Sequence, residues 1–227
     1  MLLALDTATS AVTVAVHDGD RVLAESHRVD PRRHGEVLAP MIAAVLVQAG
    51  VAAGELDGVA VGVGPGPFTG LRVGLVTARA LGHAWGVPVH GVGTLDVIAA
   101  EAYGDAPSGE LVVVTDARRH EVYGARYVAG RRVDGPRVDA PHRWSELLAG
   151  PDGTAPVRVV GEAAGRVLGT GGGGVDPCLP SAGVLAGLVA RALTGSDPAG
   201  LLLPVVPLYL RRPDAQPPGA EKPVLRP

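Results

Sequence analysis

"LLALDTATSAVTVAVHDGDRVLAESH" (residues 2–27) and "ELVVVTDARRHEVYGARYVAGRRV" (residues 110–133) carry the same plan. Each opens with an apolar run ending in an aspartate, Asp6 or Asp116, then gives a second strand, a glycine turn and a third strand. Val12 and Val122 fall at the same offset from their aspartates, and the turn glycines Gly19 and Gly130 differ by one inserted residue. Self-similarity of this kind reads as two diverged copies of one supersecondary unit. Two unrelated hairpins are the alternative.

Reading outward, the apolar period becomes helical from His34 to Ala49, with Gly50 as a stop. A buried strand in "LDGVAVGVG" (56–64) leads to a glycine-proline loop, then a helix from about Thr69 to Trp85. "VPVHGVG" is a further strand and "TLDVIAAEAYG" a further helix, with Thr94 as the expected N-cap and Gly104 as the stop. In the second copy "VRVVGEAAGRVL" reads as strand and helix, and Ser181 caps a helix in "SAGVLAGLVARAL". The expected division is residues 1–104, residues 105–212 and a loose, proline-rich tail at 213–227.

Two halves that each begin strand, Asp, hairpin suggest an α/β fold of the duplicated actin-like, ribonuclease H-like (ASKHA) kind with two subdomains, as in sugar-kinase ATPases. Nucleotide sits between the subdomains there. "DTATS" offers a carboxylate, hydroxyls and turn amides, so Asp6, Thr7 and Asp116 are candidates for a weak nucleotide cleft. A strand-ending Asx or ST turn accounts for the same residues without a ligand.

Composition narrows the field. A net charge of −3 over 227 residues gives no overall basic field, which disfavours independent, nonspecific nucleic-acid binding. Nineteen of the twenty basic residues are arginine, Lys222 being the exception, so lysine is almost absent for chemistry. The single cysteine, Cys178, cannot form an internal disulfide, and the start lacks a basic leader, so a reducing cytoplasm is expected. The longest apolar run, residues 37–47, is too short to span a bilayer. No two histidines stand four apart as a zinc pair, and no serine sits in Gly-x-Ser-x-Gly.

"GVGPGPFTGLRVGLVTARALG" (62–82) looks at first like a phosphate loop. It fails that test: Leu71 and Arg72 follow Gly70 where a P-loop needs Lys and Ser or Thr, and two prolines remove amide donors. Its regularity is another one. Gly70, Gly74, Ala78 and Gly82 fall four apart on one helical face, a stripe that lets another backbone come close. The preceding helix is apolar nearly all round, with Ala39 and Ala43 small at the same spacing and Leu38, Ile42 and Leu46 as a ridge. Such a helix is covered on more than one side, by its own domain or by a partner chain.

The combination "LALDTATSAVTVAV", "RRHGEVLAPMI", "GVGPGPFTGLRVGLVTARALG", "GVGTLDVIA", "DARRHEVYGARY" and "PLYLRRPDA" resembles the bacterial TsaB family, over residues 2 to about 215. The resemblance implies an accessory, noncatalytic relative of TsaD in the glycoprotease-like superfamily. It implies work beside a TsaD-like catalytic subunit and a TsaE-like ATPase in N6-threonylcarbamoylation of the adenosine 3′ to the anticodon, in tRNAs that read codons beginning with A. The expectation is that tRNA is met through the complex and that a homodimer is a form open to the chain when it is alone. TsaD-like proteins carry a His-x-x-x-His metal pair where this chain has Thr94 and Ile98, so no metal or other cofactor is expected. The resemblance places pairing on the first long helix and the helix after the loop, making His34, Leu38, Ile42, Leu46, Gly70, Gly74 and Ala78 the candidate contacts. An autonomous actin-like ATPase or kinase is the alternative.

Overall fold

The computed structural model describes residues 1–148, 157–195 and 200–211. The first copy folds as β1 (Leu2–Asp6), β2 (Ala11–His17), β3 (Val22–Val29), α1 (His34–Ala49), β4 (Gly58–Gly62), α2 (Phe68–Trp85), β5 (Val89–Val92) and α3 (Thr94–Tyr103). The second gives β6 (Glu110–Asp116), β7 (Val122–Val128), β8 (Arg131–Asp139), α4 (Pro141–Ser145), β9 (Arg158–Val160) and α5 (Ala164–Val167). Then come α6 (Ala182–Leu193) and the short β10 (Leu202–Leu203). The expected tail, 213–227, lies outside the described residues.

Two sheets result, ordered β10-β5-β4-β1-β2-β3 and β8-β7-β6-β9. In both, the aspartate-ended strand pairs antiparallel with its successor and parallel with the strand that follows the first helix. Asp6 lies opposite Thr13 and Asp116 opposite Val122. This shared pairing order is the duplicated, actin-like α/β architecture of the sequence reading.

Side-chain alternation along the central strands sets the layers. Leu3 and Leu5 of β1 enter the core beneath α1 and α2, while Leu2 and Ala4 face α6 on the other side of the sheet. In β6, Leu111 and Val113 pack with Leu95 and Ile98 of α3, while Val112 and Val114 pack with Trp144 of α4 and Val167 of α5. Sheets covered on both faces need strands apolar on both faces, hence the unbroken runs that opened the two copies. The last helix, α6, thus returns to the first sheet and touches α3 between the lobes.

Helix ends follow local chemistry at two places and depart from it at a third. Gly50, at φ 67°, closes α1 in the left-handed region that glycine adopts without steric cost. The Ser181 hydroxyl accepts the Val184 N–H at 3.0 Å and caps α6. Thr94 is not the N-cap of α3: Gly93 holds that position, and the Thr94 hydroxyl is engaged over a longer range.

Candidate functional site

Asp6 is fully buried where β1 turns toward β2. One carboxylate oxygen accepts the Ala8 N–H at 2.7 Å and the other accepts the Thr94 hydroxyl at 2.8 Å. The Thr94 oxygen in turn accepts the Gly64 N–H at 3.2 Å. Burial outweighs these bonds and pushes the Asp6 carboxyl up to about 6. The Thr7 hydroxyl donates to the Gly70 carbonyl at 2.7 Å and accepts the Gly74 N–H at 2.9 Å. The polar atoms of Asp6 and Thr7 are therefore occupied inside the first lobe, and neither residue lines the cavity between the lobes. This corrects two of the three residues expected in a nucleotide cleft: as placed they do not fit phosphate or Mg²⁺. Asp116 does line the cavity, with its carboxylate paired to Arg166 at 2.6 Å. Ile98 is buried among Leu95, Val113 and Tyr127, so the positions of a TsaD-like metal pair hold a hydroxyl engaged with Asp6 and a hydrocarbon.

The candidate partner contacts need a larger correction. His34, Leu38, Ile42, Gly70, Gly74 and Ala78 are all buried, and Leu46 is half-buried. The His34 Nε2–H donates to the Thr9 carbonyl at 2.9 Å. A Cβ on Gly70 would lie 2.6 Å from the Thr7 carbonyl oxygen, and one on Gly74 would fall inside 3.0 Å of Thr7 Oγ1. The small-residue stripe thus seats α2 against the chain's own β1–β2 turn, and Gly66 in the preceding loop abuts the Ala8 carbonyl in the same way. The faces left outside are different ones. Gly35, Ala39, Ala43 and Val47 run four apart along the exposed side of α1, with Val76 and Ala80 on the exposed side of α2. Val47 is 82% and Val76 66% exposed.

Sequence reading missed the role of residues 200–211. β10 adds to the free side of β5, and the Leu208 N–H donates to the Val63 carbonyl at 2.9 Å. The Tyr209 ring stacks on Phe68 at 4.9 Å, and its hydroxyl accepts the Arg72 Nε–H at 2.6 Å. Arg211 donates to the Ala117 carbonyl at 2.8 Å and pairs with Glu121. The segment therefore runs as a strap from the first sheet, over the start of α2, to the β6–β7 hairpin. Deeper in, the Ser10 hydroxyl donates to Glu162 at 2.7 Å from lobe to lobe. A cavity of about 520 Å³ lies between these crossings. Among the described residues no helix is long and apolar enough to cross a membrane.

Comparison with known proteins agrees with this geometry. The profile of the TsaD family, described as tRNA N6-adenosine threonylcarbamoyltransferase, matches residues 24–161. An uncharacterized protein of Mycobacterium leprae is 47% identical over 96% of this chain and 56% of its own length. The tRNA threonylcarbamoyladenosine biosynthesis protein TsaB of Escherichia coli is 36% identical over 56% of this chain and 54% of its own length. The chain thus spans about half the length of the Mycobacterium leprae relative, and the match to the Escherichia coli protein covers about half of each chain. The solved structure of YeaZ from Pseudomonas aeruginosa superposes with a TM-score of 0.73 at 33% identity, covering 92% of this chain and 99% of that one. A family profile over more than half of the residues, a named TsaB relative and a shared fold along nearly the whole YeaZ chain lead to one assignment: this protein belongs to the TsaB family.

Proposed function

We propose that this chain is a noncatalytic subunit of a tRNA threonylcarbamoyl-transferring assembly, and that it pairs with a TsaD-like catalytic subunit through the exposed sides of α1 and α2. A TsaE-like ATPase joins the assembly, and a second copy of this chain occupies the same surface when the catalytic partner is missing. The reading is supported chiefly by the apolar, small-residue surface of Ala39, Ala43, Val47, Val76 and Ala80, which the monomer leaves uncovered. Such contiguous apolar exposure marks interaction surfaces on soluble domains, and side chains this small let a partner helix approach closely. Thr94 and Ile98 add to the case, since neither replaces an imidazole ligand.

The test is reconstitution. Threonylcarbamoyl transfer to tRNA is measured with purified cognate TsaD, TsaE and precursor synthase, with and without this chain. The reading expects transfer to depend on the chain, and Val47→Glu to abolish pairing with TsaD while shifting the melting temperature of the isolated chain by only about 1–2 °C, as an exposed substitution should. Transfer without the chain, or nucleotide turnover by the chain alone, would overturn it in favour of an autonomous actin-like ATPase.

A further inference from the structure

The cavity between the lobes has a charge that the rest of the molecule lacks. Its wall carries Arg32, Arg118, Arg119 and Arg211 against Asp116 and Glu162, in a chain whose net charge is −3. Arg211 is matched by Glu121 and Asp116 by Arg166. Arg32 and Arg118 are exposed, on opposite lobes, and neither side chain has an acidic partner among the described residues. Arg118, Arg119 and His120 hold φ values of 61°, 50° and 63°, three successive side chains in the left-handed region. That conformation is costly away from glycine and concentrates at functional sites. It is held here by the Arg118 N–H donating to Asp116 at 3.1 Å and the Glu121 N–H donating to the Arg118 carbonyl at 2.9 Å. At the mouth stand Phe68 and Tyr209, each 38% exposed, with the Arg72 guanidinium 3.7 Å above the Phe68 ring.

We propose that this cleft binds the tRNA itself, with a backbone phosphate between Arg32 and Arg118 and an unpaired base against the Phe68–Tyr209 edge. The inference rests on the reading of the chain as a subunit of a tRNA-modifying assembly. Arginines along an open groove beside partly exposed rings are the combination that tracks single-stranded nucleic acid, phosphate by charge and base by stacking. A free nucleotide in an actin-like cleft would call on Asp6 and Thr7, which are sealed inside the first lobe. The arginines instead lie exposed at the rim, where a passing strand meets them.

The experiment measures fluorescence anisotropy of labelled tRNA with the assembled complex of this chain and its TsaD partner, between 50 and 200 mM KCl. Arg32→Gln/Arg118→Gln is compared with Arg28→Gln/Arg131→Gln, which removes the same charge from exposed positions outside the cavity. The cleft pair should weaken binding roughly tenfold at low salt and flatten the salt dependence by about one unit of slope, the loss of one phosphate contact. The control pair should change affinity less than about twofold. Equal losses from both pairs, or unchanged tRNA affinity in the cleft variant, would overturn the inference. So would ATP or ADP binding that depends on Arg32 and Arg118 while tRNA binding does not, since the occupant is then a free nucleotide. Sedimentation and transfer assays on the unsubstituted chain keep the two readings apart. Failure to pair or to support transfer sinks the proposed function, whereas intact pairing and transfer with insensitive tRNA affinity sinks only the cleft.

Discussion

Gly74→Ala tests which side of the small-residue stripe is in use. On a surface facing a partner, replacing a helical glycine by alanine would stabilise the monomer by about 1 kcal/mol through helix propensity alone. Here the new methyl falls inside 3.0 Å of Thr7 Oγ1 and 3.4 Å from Leu5 Cδ1. The threonine hydroxyl is fixed between the Gly70 carbonyl and the Gly74 N–H, so it must leave both. Stranding a buried hydroxyl costs about 1–3 kcal/mol and overpacking a tight contact a further 1–3 kcal/mol, from which the helix gain of about 1 kcal/mol is subtracted. The net is a loss of about 3 kcal/mol, a fall in melting temperature of roughly 6–12 °C for a chain of this length. Thr7→Ala removes the atom that is struck, so Gly74→Ala/Thr7→Ala should cost less than the sum of the single changes by at least about 1 kcal/mol. Urea unfolding followed by circular dichroism measures all four corners of the cycle. A Gly74→Ala protein more stable than wild type, or strict additivity in the double variant, would refute internal packing as the use of this stripe.

Asp6 predicts an acid-side gain. Its carboxyl is raised by burial from 3.8 to about 6, so the folded chain takes up this proton before the unfolded one; the contribution is fully present below pH 3.8 and is lost as pH rises through 6. The whole difference is about 3 kcal/mol, and Asp6→Asn should remove that part of the pH dependence between pH 4 and 7 when unfolding midpoints are compared. Thr94→Val takes away one of the two donors to Asp6, along with the acceptor of the Gly64 N–H. It should cost about 2–4 kcal/mol at pH 8 and less at pH 5, where Asp6 is largely protonated; equal losses at both would show that Asp6 is not the residue through which Thr94 acts. Partial burial and the neighbouring Asp176 push the half-buried Cys178 thiol up to about 11, so its reaction with a disulfide reagent at pH 7.5 should run slower than that of free cysteine; labelling at the free rate would contradict that raised thiol.

Much of the fold was legible because its signals are local. Gly50 and Gly104 stop helices where a left-handed or open conformation is needed, Ser181 caps α6, and the two aspartate-ended runs declare the duplication. The candidate site was less legible because its determinants are long-range. Spacing by four revealed that something approaches Gly70 and Gly74, but not that it is Thr7, 63 residues before Gly70. Thr94 satisfies every local rule for an N-cap, yet its hydroxyl goes to Asp6, 88 residues away. The return of α6 to the first sheet depends on how the two lobes stack, which no window of sequence contains. A signal for the strap was present in the scarcity of aromatics: the only phenylalanine, Phe68, and one of four tyrosines, Tyr209, find each other across the chain.

That strap bears on how the molecule moves. Two lobes joined by a single linker pivot like a hinge, but here the backbone crosses after α3, returns before α6 and crosses a third time along the strap, which is clasped at both ends, on β5 and on Glu121. Opening the cleft would require unclasping Arg211 or peeling Tyr209 from Phe68 and Arg72. The protein is built as a buckled frame, whose gap is held at one width while the outer helices keep a constant shape for whatever docks against them.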